Sequence, residues 1–301
     1  MTEPTQPNLL PPAALVTELA AFARELATLA GSEIHDAVGK GVEVEYKTDS
    51  KDAKAEPTDP VSEVDRAVEA MIRERVGERY PAHAIIGEEV DDQPKADAEF
   101  MWIIDPVDGT TNFVNKFPMF AASIGLVHNG KPVAGAVWCS TSHALMPGTY
   151  HAAVGGTLMF EDEAVDVSAT NRGVRRRLSA APGGAPGRTA TWDNRVTGSA
   201  ALECAFVAAG VFASAQLWGP SIWDVAGGVV LLQAAGRTVV TRDKSGWVPF
   251  KRFDSPSSVK EDREPTLRDW RRPLLMGTAE AVTTIQQRAK RPHWWRRMGR
   301  R

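Results

Sequence analysis

The most informative part of the sequence reads WIIDPVDGTTNF over residues 102–113. Its apolar start predicts a buried strand, which leads into two carboxylates three positions apart, Asp105 and Asp108. A Gly-Thr-Thr turn that can start a helix follows at once. Carboxylates at a strand end are suited to divalent cations, and the free N–H groups of such a turn are suited to a phosphate. The stretch therefore predicts phosphoryl chemistry.

Further carboxylates stand at the ends of other predicted elements. Glu88 and Glu89 end a separate apolar strand. Asp224 starts one predicted helix, and Asp65 lies in another. Gathering like charges in one place is costly unless a cation balances them. Since oxygen ligands without histidine or cysteine are typical of Mg²⁺, these residues predict a magnesium site.

The net charge of −3 conceals an acidic body and a basic end. Six lysine and arginine residues fall within 290–301, and without them 29 basic residues face 38 acidic ones. Nucleic-acid binding depends on a basic face, so no specific nucleic-acid partner is expected for the body. The tail also carries Trp294 and Trp295, and we hypothesise that it makes weak contact with an anionic membrane surface.

Cysteine content and hydropathy favour a cytoplasmic protein. The two cysteines, Cys139 and Cys204, cannot form a disulfide framework, which fits a reducing compartment. The start of the sequence lacks a basic stretch followed by an apolar one, so no secretory signal is predicted. The longest apolar runs, such as 225–232, are too short to span a bilayer.

Apolar spacing along the chain predicts an alternation of helices and strands. Helices are expected over 13–38, 61–80, 199–209, 223–235 and 280–289. Strands are expected over 84–89, 101–105, 120–128, 131–138, 150–153, 211–217, 237–241 and 273–276. The pair Asn129-Gly130 predicts a hairpin, because both residues accept positive φ. Residues 168–196 and 244–270 are expected to be irregular.

This pattern predicts four parts of the chain. Residues 1–12 form a disordered N-terminus, and 13–195 form an α+β subdomain that carries the metal site. Residues 196–289 form a smaller α/β subdomain. Residues 290–301 form the basic, tryptophan-containing tail.

Several motifs together resemble the inositol monophosphatase family of Mg²⁺-dependent, lithium-sensitive phosphatases. They are GEE at 87–89, WIIDPVDGTTNF at 102–113, GSAA at 198–201 and WDVAGG at 223–228. They occur in the family's order and at plausible spacing. The resemblance implies a layered α-β-α-β-α sandwich fold, which places the chain between the α+β and α/β classes, and a homodimer.

The resemblance also implies roles for individual residues. Metal ligands would be Glu88, Asp105, the main-chain carbonyl of Val107, Asp108 and Asp224. Together they would hold two or three Mg²⁺ ions, with Li⁺ as an inhibitor. Asp65 and Thr110, with Glu88 close by, would orient the attacking water. Two metal ions in such a site can stabilise both the attacking and the leaving oxygen of an in-line displacement.

Substrate contacts are implied at two further places. The backbone around Gly109, Thr110 and Thr111 would hold the phosphate. The substrate pocket would involve Lys47, Glu89, Ser199, Ala200, Leu217 and Trp218. Leu217 departs from the family pattern, because many members have a glutamate there that contacts inositol hydroxyls. The segment between about 171 and 197 also looks shorter than usual.

We therefore expect a phosphoric monoester hydrolase that acts on a small phosphate ester, with an inositol monophosphate-like molecule as the first candidate. Histidinol phosphate, fructose 1,6-bisphosphate and 3′-phosphoadenosine nucleotides stay open as alternatives. A different class of function, a catalytically weak phosphatase fold that acts as a scaffold or regulator, also stays open.

Overall fold

A computed structural model of the chain describes residues 10–38, 44–46, 60–91, 98–169, 173–181, 192–259 and 263–289. Most of the predicted N-terminal segment, all of the basic tail and Lys47 lie outside these ranges. Within them, no helix has both the length and the apolar character needed to cross a membrane.

The five predicted helices are confirmed, and a short sixth follows the acidic motif. Their bounds are α1 Ala13–Ala37, α2 Glu63–Arg79, α3 Thr110–Val114, α4 Ala200–Ala208, α5 Ile222–Ala234 and α6 Ala279–Ala289. Helix α1 buries one face that includes Leu19, Leu26 and Ile34, as its apolar spacing predicts. Helix α2 begins with a capping box, in which Ser62 and Asp65 satisfy each other's backbone N–H groups.

Fifteen strands lie in the described part of the chain. The first nine are β1 Val44–Tyr46, β2 Pro60–Ser62, β3 Ala84–Gly87, β4 Phe100–Asp108, β5 Ala121–His128, β6 Lys131–Cys139, β7 Gly148–Ala153, β8 Met159–Phe160 and β9 Glu163–Ala164. The others are β10 Arg177–Ala180, β11 Trp192–Arg195, β12 Phe212–Leu217, β13 Thr238–Asp243, β14 Gly246–Pro249 and β15 Leu274–Gly277.

These strands form two large sheets and one small one. The seven-stranded sheet has the order β3-β4-β5-β6-β7-β8-β9, and the six-stranded sheet has the order β11-β10-β12-β15-β13-β14. Strands β1 and β2 pair separately. Strands β5 and β6 form the predicted hairpin, with φ of 48° at Asn129 and 76° at Gly130.

The sheets and helices stack in five layers. Helices α1 and α2 pack on one face of the seven-stranded sheet. Helices α4 and α5 fill the space between the two large sheets, in one core that contains residues from both. Helix α6 covers the far face of the six-stranded sheet through Val282. The predicted α-β-α-β-α sandwich is confirmed, whereas the boundary between 195 and 196 stays a prediction.

The expectation of irregular structure over 168–196 is wrong in part. Strands β10 and β11 lie within this segment and pair in parallel, with Leu178 opposite Asp193. Each strand has only four residues, RLSA in β10 and WDNR in β11, which is too short for its sequence pattern to predict a strand. Within 244–270, likewise, β14 pairs with β13, and a short 3-10 helix spans Leu267–Asp269.

A bulge at the end of β4 determines where its carboxylates lie. Asp105 pairs with Ser123 and Asp108 with Ala121, so three steps along β4 match two along β5. In a regular strand, residues three apart point to opposite faces. The extra residue in the bulge changes this alternation, and it also accommodates Pro106, which cannot donate a ladder hydrogen bond.

Helix α5 lies close to β5 because glycines remove side chains from the contact. A Cβ atom on Gly125 would approach Ala226 Cβ to 2.6 Å and the backbone nitrogen of Gly227 to 2.7 Å. A Cβ atom on Gly227 would in turn approach the carbonyl oxygen of Ile124 to 2.8 Å. This close approach positions the N-terminal turn of α5, which carries Asp224.

We predict that Gly125→Ala destabilises the protein by about 1–3 kcal/mol, because the added methyl forces α5 away from β5. Gly77→Ala is the matched control, since among the described residues a Cβ atom at this position in α2 would meet nothing within 4 Å apart from its chain neighbours and its own helix backbone. Alanine there is expected to stabilise the helix by up to about 1 kcal/mol. Urea unfolding midpoints measure both effects, and equal midpoints for the two variants would contradict the prediction.

Candidate active site

Asp105 is the most deeply buried of the carboxylates predicted as metal ligands, with 1% of its surface exposed. Its Oδ1 atom has no hydrogen-bond partner among the described residues. Burial raises the pKa of this carboxyl well above its ordinary value, and the negative charges of Glu88, Asp108 and Asp224 raise it further. Asp105 therefore lies where a proton or a cation would relieve an unfavourable charge.

Asp108 connects the end of β4 to the start of α4. Its Oδ2 atom accepts hydrogen bonds from Ser199 Oγ at 2.7 Å and from the backbone nitrogen of Ala201 at 2.5 Å. Desolvation raises the pKa of Asp108 to about 6, although these two donors act in the opposite direction. The predicted motif at 198–201 thus contacts the predicted metal ligand directly.

Asp224 occupies the third position of α5 and forms a capping box with Ser221. The Ser221 backbone nitrogen donates to its Oδ2 atom at 2.7 Å. Burial raises the pKa of Asp224 well above its ordinary value, and Asp108 and Glu88 raise it further. The negative charge of Glu88 helps to raise the pKa of Asp105, Asp108 and Asp224, so these four carboxylates lie in one acidic region.

Asp65 and Thr110 lie in contact, as the sequence predicts. The Thr110 hydroxyl lies 3.1 Å from Asp65 Oδ1 and 2.9 Å from the carbonyl oxygen of Val107. Asp65 is fully buried and also accepts a hydrogen bond from the backbone nitrogen of Ser62 at 2.9 Å. Burial raises its pKa, while the bonds from Ser62 counteract that rise.

The turn at Gly109 has the conformation that its glycine predicts. Gly109 has φ of 90°, and α3 begins at the next residue. Asn112 Nδ2 donates to the carbonyl oxygens of Met119 at 2.6 Å and Thr197 at 2.7 Å. Asn112 therefore fixes this turn to the loop before α4. The sequence motif contains Asn112, but its role cannot be predicted from the sequence, because both acceptors are backbone atoms.

Glu69 is a second residue whose contribution to the site is not evident from the sequence. Its carboxylate is fully buried and accepts hydrogen bonds from the backbone nitrogens of Glu89 at 2.7 Å and Val90 at 3.1 Å. It also pairs with Arg73 at 2.8 Å. A glutamate on α2 thus holds the loop in which Glu88 and Glu89 lie.

The residues of the predicted substrate pocket differ in their surroundings. Leu217 is 7% exposed and packs in the core between the large sheets, whereas Trp218 is 56% exposed. Ser199 is buried and commits its hydroxyl to Asp108. Ala200 is partly buried against the same core. The role of these residues in substrate binding stays a prediction.

The carboxylates predicted as metal ligands do not form a coordination shell in the described part of the structure. Among the described residues, no three acidic, histidine or cysteine side chains converge closely enough to form a metal-binding cluster. Asp108 accepts a hydrogen bond from Ser199, and Asp224 accepts one from Ser221. The donor set nevertheless fits Mg²⁺, since it consists of oxygen atoms and includes the buried, unpartnered Oδ1 of Asp105.

Glu203 on α4 is a further buried acid near the site. It is 4% exposed, its Oε1 atom accepts a hydrogen bond from Thr197 Oγ1 at 2.8 Å, and its Oε2 atom has no partner among the described residues. Desolvation raises the pKa of Glu203 to about 7, and Asp108 adds a smaller rise. Below about pH 7 the Glu203 side chain is protonated and uncharged, so it adds no negative charge to the acidic region.

Known proteins resemble the chain along most of its length. Residues 15–264 match the family described as the inositol monophosphatase family. The chloroplastic phosphatase IMPL1 of Arabidopsis thaliana is 31% identical over 245 residues, which cover 76% of this chain and 64% of the plant protein. The inositol-1-monophosphatase of Synechocystis is 33% identical over 239 residues, or 74% and 79% of the two chains. The chain thus spans less than two thirds of the plant relative.

A solved structure shares the fold. The inositol monophosphatase of Anabaena aligns with a TM-score of 0.65 and 25% sequence identity. The alignment covers 92% of this chain and 98% of the Anabaena chain.

We predict that Glu203→Gln flattens the pH dependence of stability in the metal-free protein. Because the folded-state pKa of about 7 lies above the ordinary value of 4.5, the folded protein retains a proton that the unfolded chain releases. The free energy of unfolding therefore falls as the pH rises through this interval, by about 3 kcal/mol in total from this residue. Unfolding by urea in EDTA, between about pH 4.5 and 8, measures the slope.

Glu78→Gln is the matched control, because Glu78 is an exposed glutamate on α2. It is expected to leave the slope unchanged. If the wild-type protein and Glu203→Gln lose stability equally over this interval, the prediction is wrong. Glu203 would then release its proton at the same pH in the folded and unfolded states.

Proposed function

The chain belongs to the inositol monophosphatase family and is a phosphoric monoester hydrolase, and from this premise we propose that it requires Mg²⁺ and hydrolyses a small phosphorylated metabolite similar to inositol monophosphate. The environment of Asp105 is the observation that supports the metal requirement. Its buried Oδ1 atom has no partner among the described residues, and neighbouring carboxylates raise its pKa together with burial. A divalent cation is the ligand that this environment favours.

The proposed ligands are Glu88, Asp105, the carbonyl oxygen of Val107, Asp108 and Asp224, for two or three Mg²⁺ ions. When bound, such ions make water a stronger nucleophile and offset charge on the phosphoryl group. The Val107 carbonyl already accepts a hydrogen bond from Thr110, so the metal ligands and the water-positioning pair adjoin. Asp108 and Asp224 are oriented by backbone N–H groups from α4 and from the start of α5.

Asp65 and Thr110 are proposed to orient the attacking water, with Glu88 nearby. When the Thr110 hydroxyl donates to Asp65 Oδ1, its oxygen lone pairs remain able to accept a hydrogen bond from water. The pKa of Asp65 is raised by burial, which suits a carboxylate that takes up a proton during the reaction. Ser62 holds Asp65 in place at the start of α2.

The phosphate group of the substrate is proposed to lie against the backbone N–H groups of Gly109, Thr110 and Thr111. Gly109 can adopt its positive φ without strain, and its Cα faces the carbonyl oxygens of Met119 and Gly198. A Cβ atom there would approach these oxygens to 3.1 and 3.2 Å. Asn112 maintains this arrangement through its two backbone acceptors.

The predicted pocket residues restrict the identity of the leaving group less than the turn at Gly109 restricts the position of the phosphate. Leu217 is apolar and buried, so it offers no hydrogen bond to a polyol at the position where many relatives have a glutamate. Trp218 beside it is exposed and apolar. These two residues keep histidinol phosphate, fructose 1,6-bisphosphate and 3′-phosphoadenosine nucleotides as candidates beside inositol monophosphate.

Three further expectations belong to this proposal. The protein forms a homodimer in the cytoplasm, as the resemblance and the cysteine content imply. The tail at 290–301 touches anionic membranes weakly. Sedimentation and vesicle binding test these points, and equal binding of the full chain and of residues 1–289 to anionic vesicles would remove the membrane contact.

We predict that Asp105→Asn and Asp108→Asn each abolish phosphatase activity while the fold persists. Each change removes a charge from a proposed metal ligand, and it also relieves repulsion in the metal-free protein, so the unfolding temperature in EDTA is expected to stay equal or rise. Phosphate release and thermal unfolding measure the two effects. Asp162→Asn is the control, because this exposed aspartate pairs with Arg24 on the surface. Near wild-type activity in both site variants would contradict the proposed metal site.

The substrate is tested by phosphate release from the four candidate esters, with and without Mg²⁺ and with added Li⁺. We expect release that depends on Mg²⁺ and is suppressed by Li⁺, and the ester with the highest kcat/KM identifies the substrate class. Measurable Mg²⁺ binding without release from any ester would favour the scaffold or regulator instead.

A further inference from the structure

Arg268 lies between two parts of the acidic region. Its guanidinium donates hydrogen bonds to the carbonyl oxygens of Gly87 and of Glu88, the latter at 3.1 Å. It also pairs with Asp91 at 3.1 Å. Its central carbon lies 4.8 Å from the centroid of the Trp223 ring. The Arg268 side chain is 12% exposed, whereas that of Asp91 is 81% exposed, so the ion pair lies at the surface and the other contacts lie deeper.

The contacts of Arg268 join elements that are distant in the sequence. Gly87 ends β3 in the seven-stranded sheet, and Glu88 follows it. Trp223 lies in the first turn of α5, directly before Asp224. One side chain thus connects the main chain of one proposed metal ligand to the neighbour of another. The planar guanidinium can donate several hydrogen bonds and stack on an aromatic ring at once, which a lysine cannot do.

Arg268 is itself held firmly. It belongs to the short 3-10 helix Leu267–Asp269, whose start is capped by a hydrogen bond of 2.8 Å from the backbone nitrogen of Thr266 to Asp269. Arg263 forms two hydrogen bonds with the same aspartate, at 2.6 and 2.8 Å. Trp270, next along the chain, is 1% exposed. The segment therefore provides a rigid base for Arg268.

A second arginine adds charge at the same place. The Arg271 guanidinium centre also lies 4.8 Å from the Trp223 ring centroid. Burial lowers the pKa of Arg271, while the negative charges of Asp224 and Glu88 raise it. Positive charge beside the carboxylates lowers the cost of keeping them together before a metal ion binds. Arg268 donates to the carbonyl oxygen of Glu88, whereas Arg271 donates to the carbonyl oxygens of Arg268 and Trp270.

We propose that Arg268 is a positioning residue for Mg²⁺ binding, which holds the Glu88 main chain and the first turn of α5 at a fixed separation. Preorganisation of this kind increases affinity, because less order has to be imposed when the ion binds. This inference rests on the proposed function, since it assigns Arg268 a role toward the proposed metal ligands. Arg268 does not contact the reacting atoms in this role, so it is expected to change metal affinity more than the rate at saturation.

The test compares Arg268→Gln and Arg268→Lys with the wild-type protein. Two quantities are measured: the Mg²⁺ concentration for half-maximal activity, and the Mg²⁺ concentration that gives half of the rise in unfolding temperature without substrate. Both are expected to increase about tenfold, as is usual when an outer partner of a metal ligand is removed. The kcat value at saturating Mg²⁺ is expected to stay within about twofold. Lysine is expected not to rescue affinity, because it keeps the charge and loses the planar contacts.

Arg79→Gln is the matched control. Arg79 also lies over an aromatic ring, 4.8 Å from the Phe22 centroid, and it pairs with Glu18 at 3.2 Å. These contacts join α2 to α1 and include none of the proposed metal ligands. It is expected to leave both Mg²⁺ concentrations unchanged. Unfolding in EDTA shows whether each variant still unfolds cooperatively.

The outcomes separate this inference from the proposed function. Unchanged Mg²⁺ concentrations in the Gln variant, an equal shift in the Arg79 control, or full rescue by lysine would overturn the positioning role while leaving the metal site intact. A loss of kcat at unchanged Mg²⁺ affinity would overturn it as well. A wild-type protein that responds to Mg²⁺ in neither measurement would instead overturn the proposed function, and the positioning role with it.

Discussion

The crowding of carboxylates around Asp105 is the constraint on which the rest of the structure depends. Asp105 is 1% exposed, and Glu88, Asp108 and Asp224 add to the effect of burial in raising its pKa. Like charges in such surroundings favour separation or protonation. A fold that keeps them together must hold each carboxylate through its own backbone and neighbours.

Backbone N–H groups provide much of that support. Asp65 and Asp224 each take the third position of a helix, where the carboxylate accepts the N–H group of the capping serine. Asp108 accepts the N–H group of Ala201 at the start of α4. The positive end of a helix dipole also favours a negative charge at such positions. The same hydrogen bonds therefore stabilise the helices and orient two proposed metal ligands, Asp108 and Asp224, and the proposed water-orienting residue Asp65.

The packing of the sheets and helices determines whether the carboxylates held by these hydrogen bonds lie close together. Helix α5 approaches β5 closely because Gly125 and Gly227 lack side chains in the contact. The bulge between Asp105 and Asp108 then sets the directions of two carboxylates on β4. Glu69 from α2 and Arg268 from the 3-10 helix hold the loop that carries Glu88 from two sides. A small displacement of any of these elements would change the geometry of the acidic region.

The sequence by itself determined the elements whose signals are local. Apolar periodicity predicted α1 and α2, the pair Asn129-Gly130 predicted the β5–β6 hairpin, and the motif at 102–113 predicted the acidic region, because neighbouring residues suffice for these features. Only the tertiary structure decided the pairing of β10 with β11 and the roles of Glu69, Asn112 and Arg268. Their partners are backbone atoms or residues remote in sequence. A side chain's type does not reveal which distant carbonyl or N–H group it will meet, since that depends on how the layers pack.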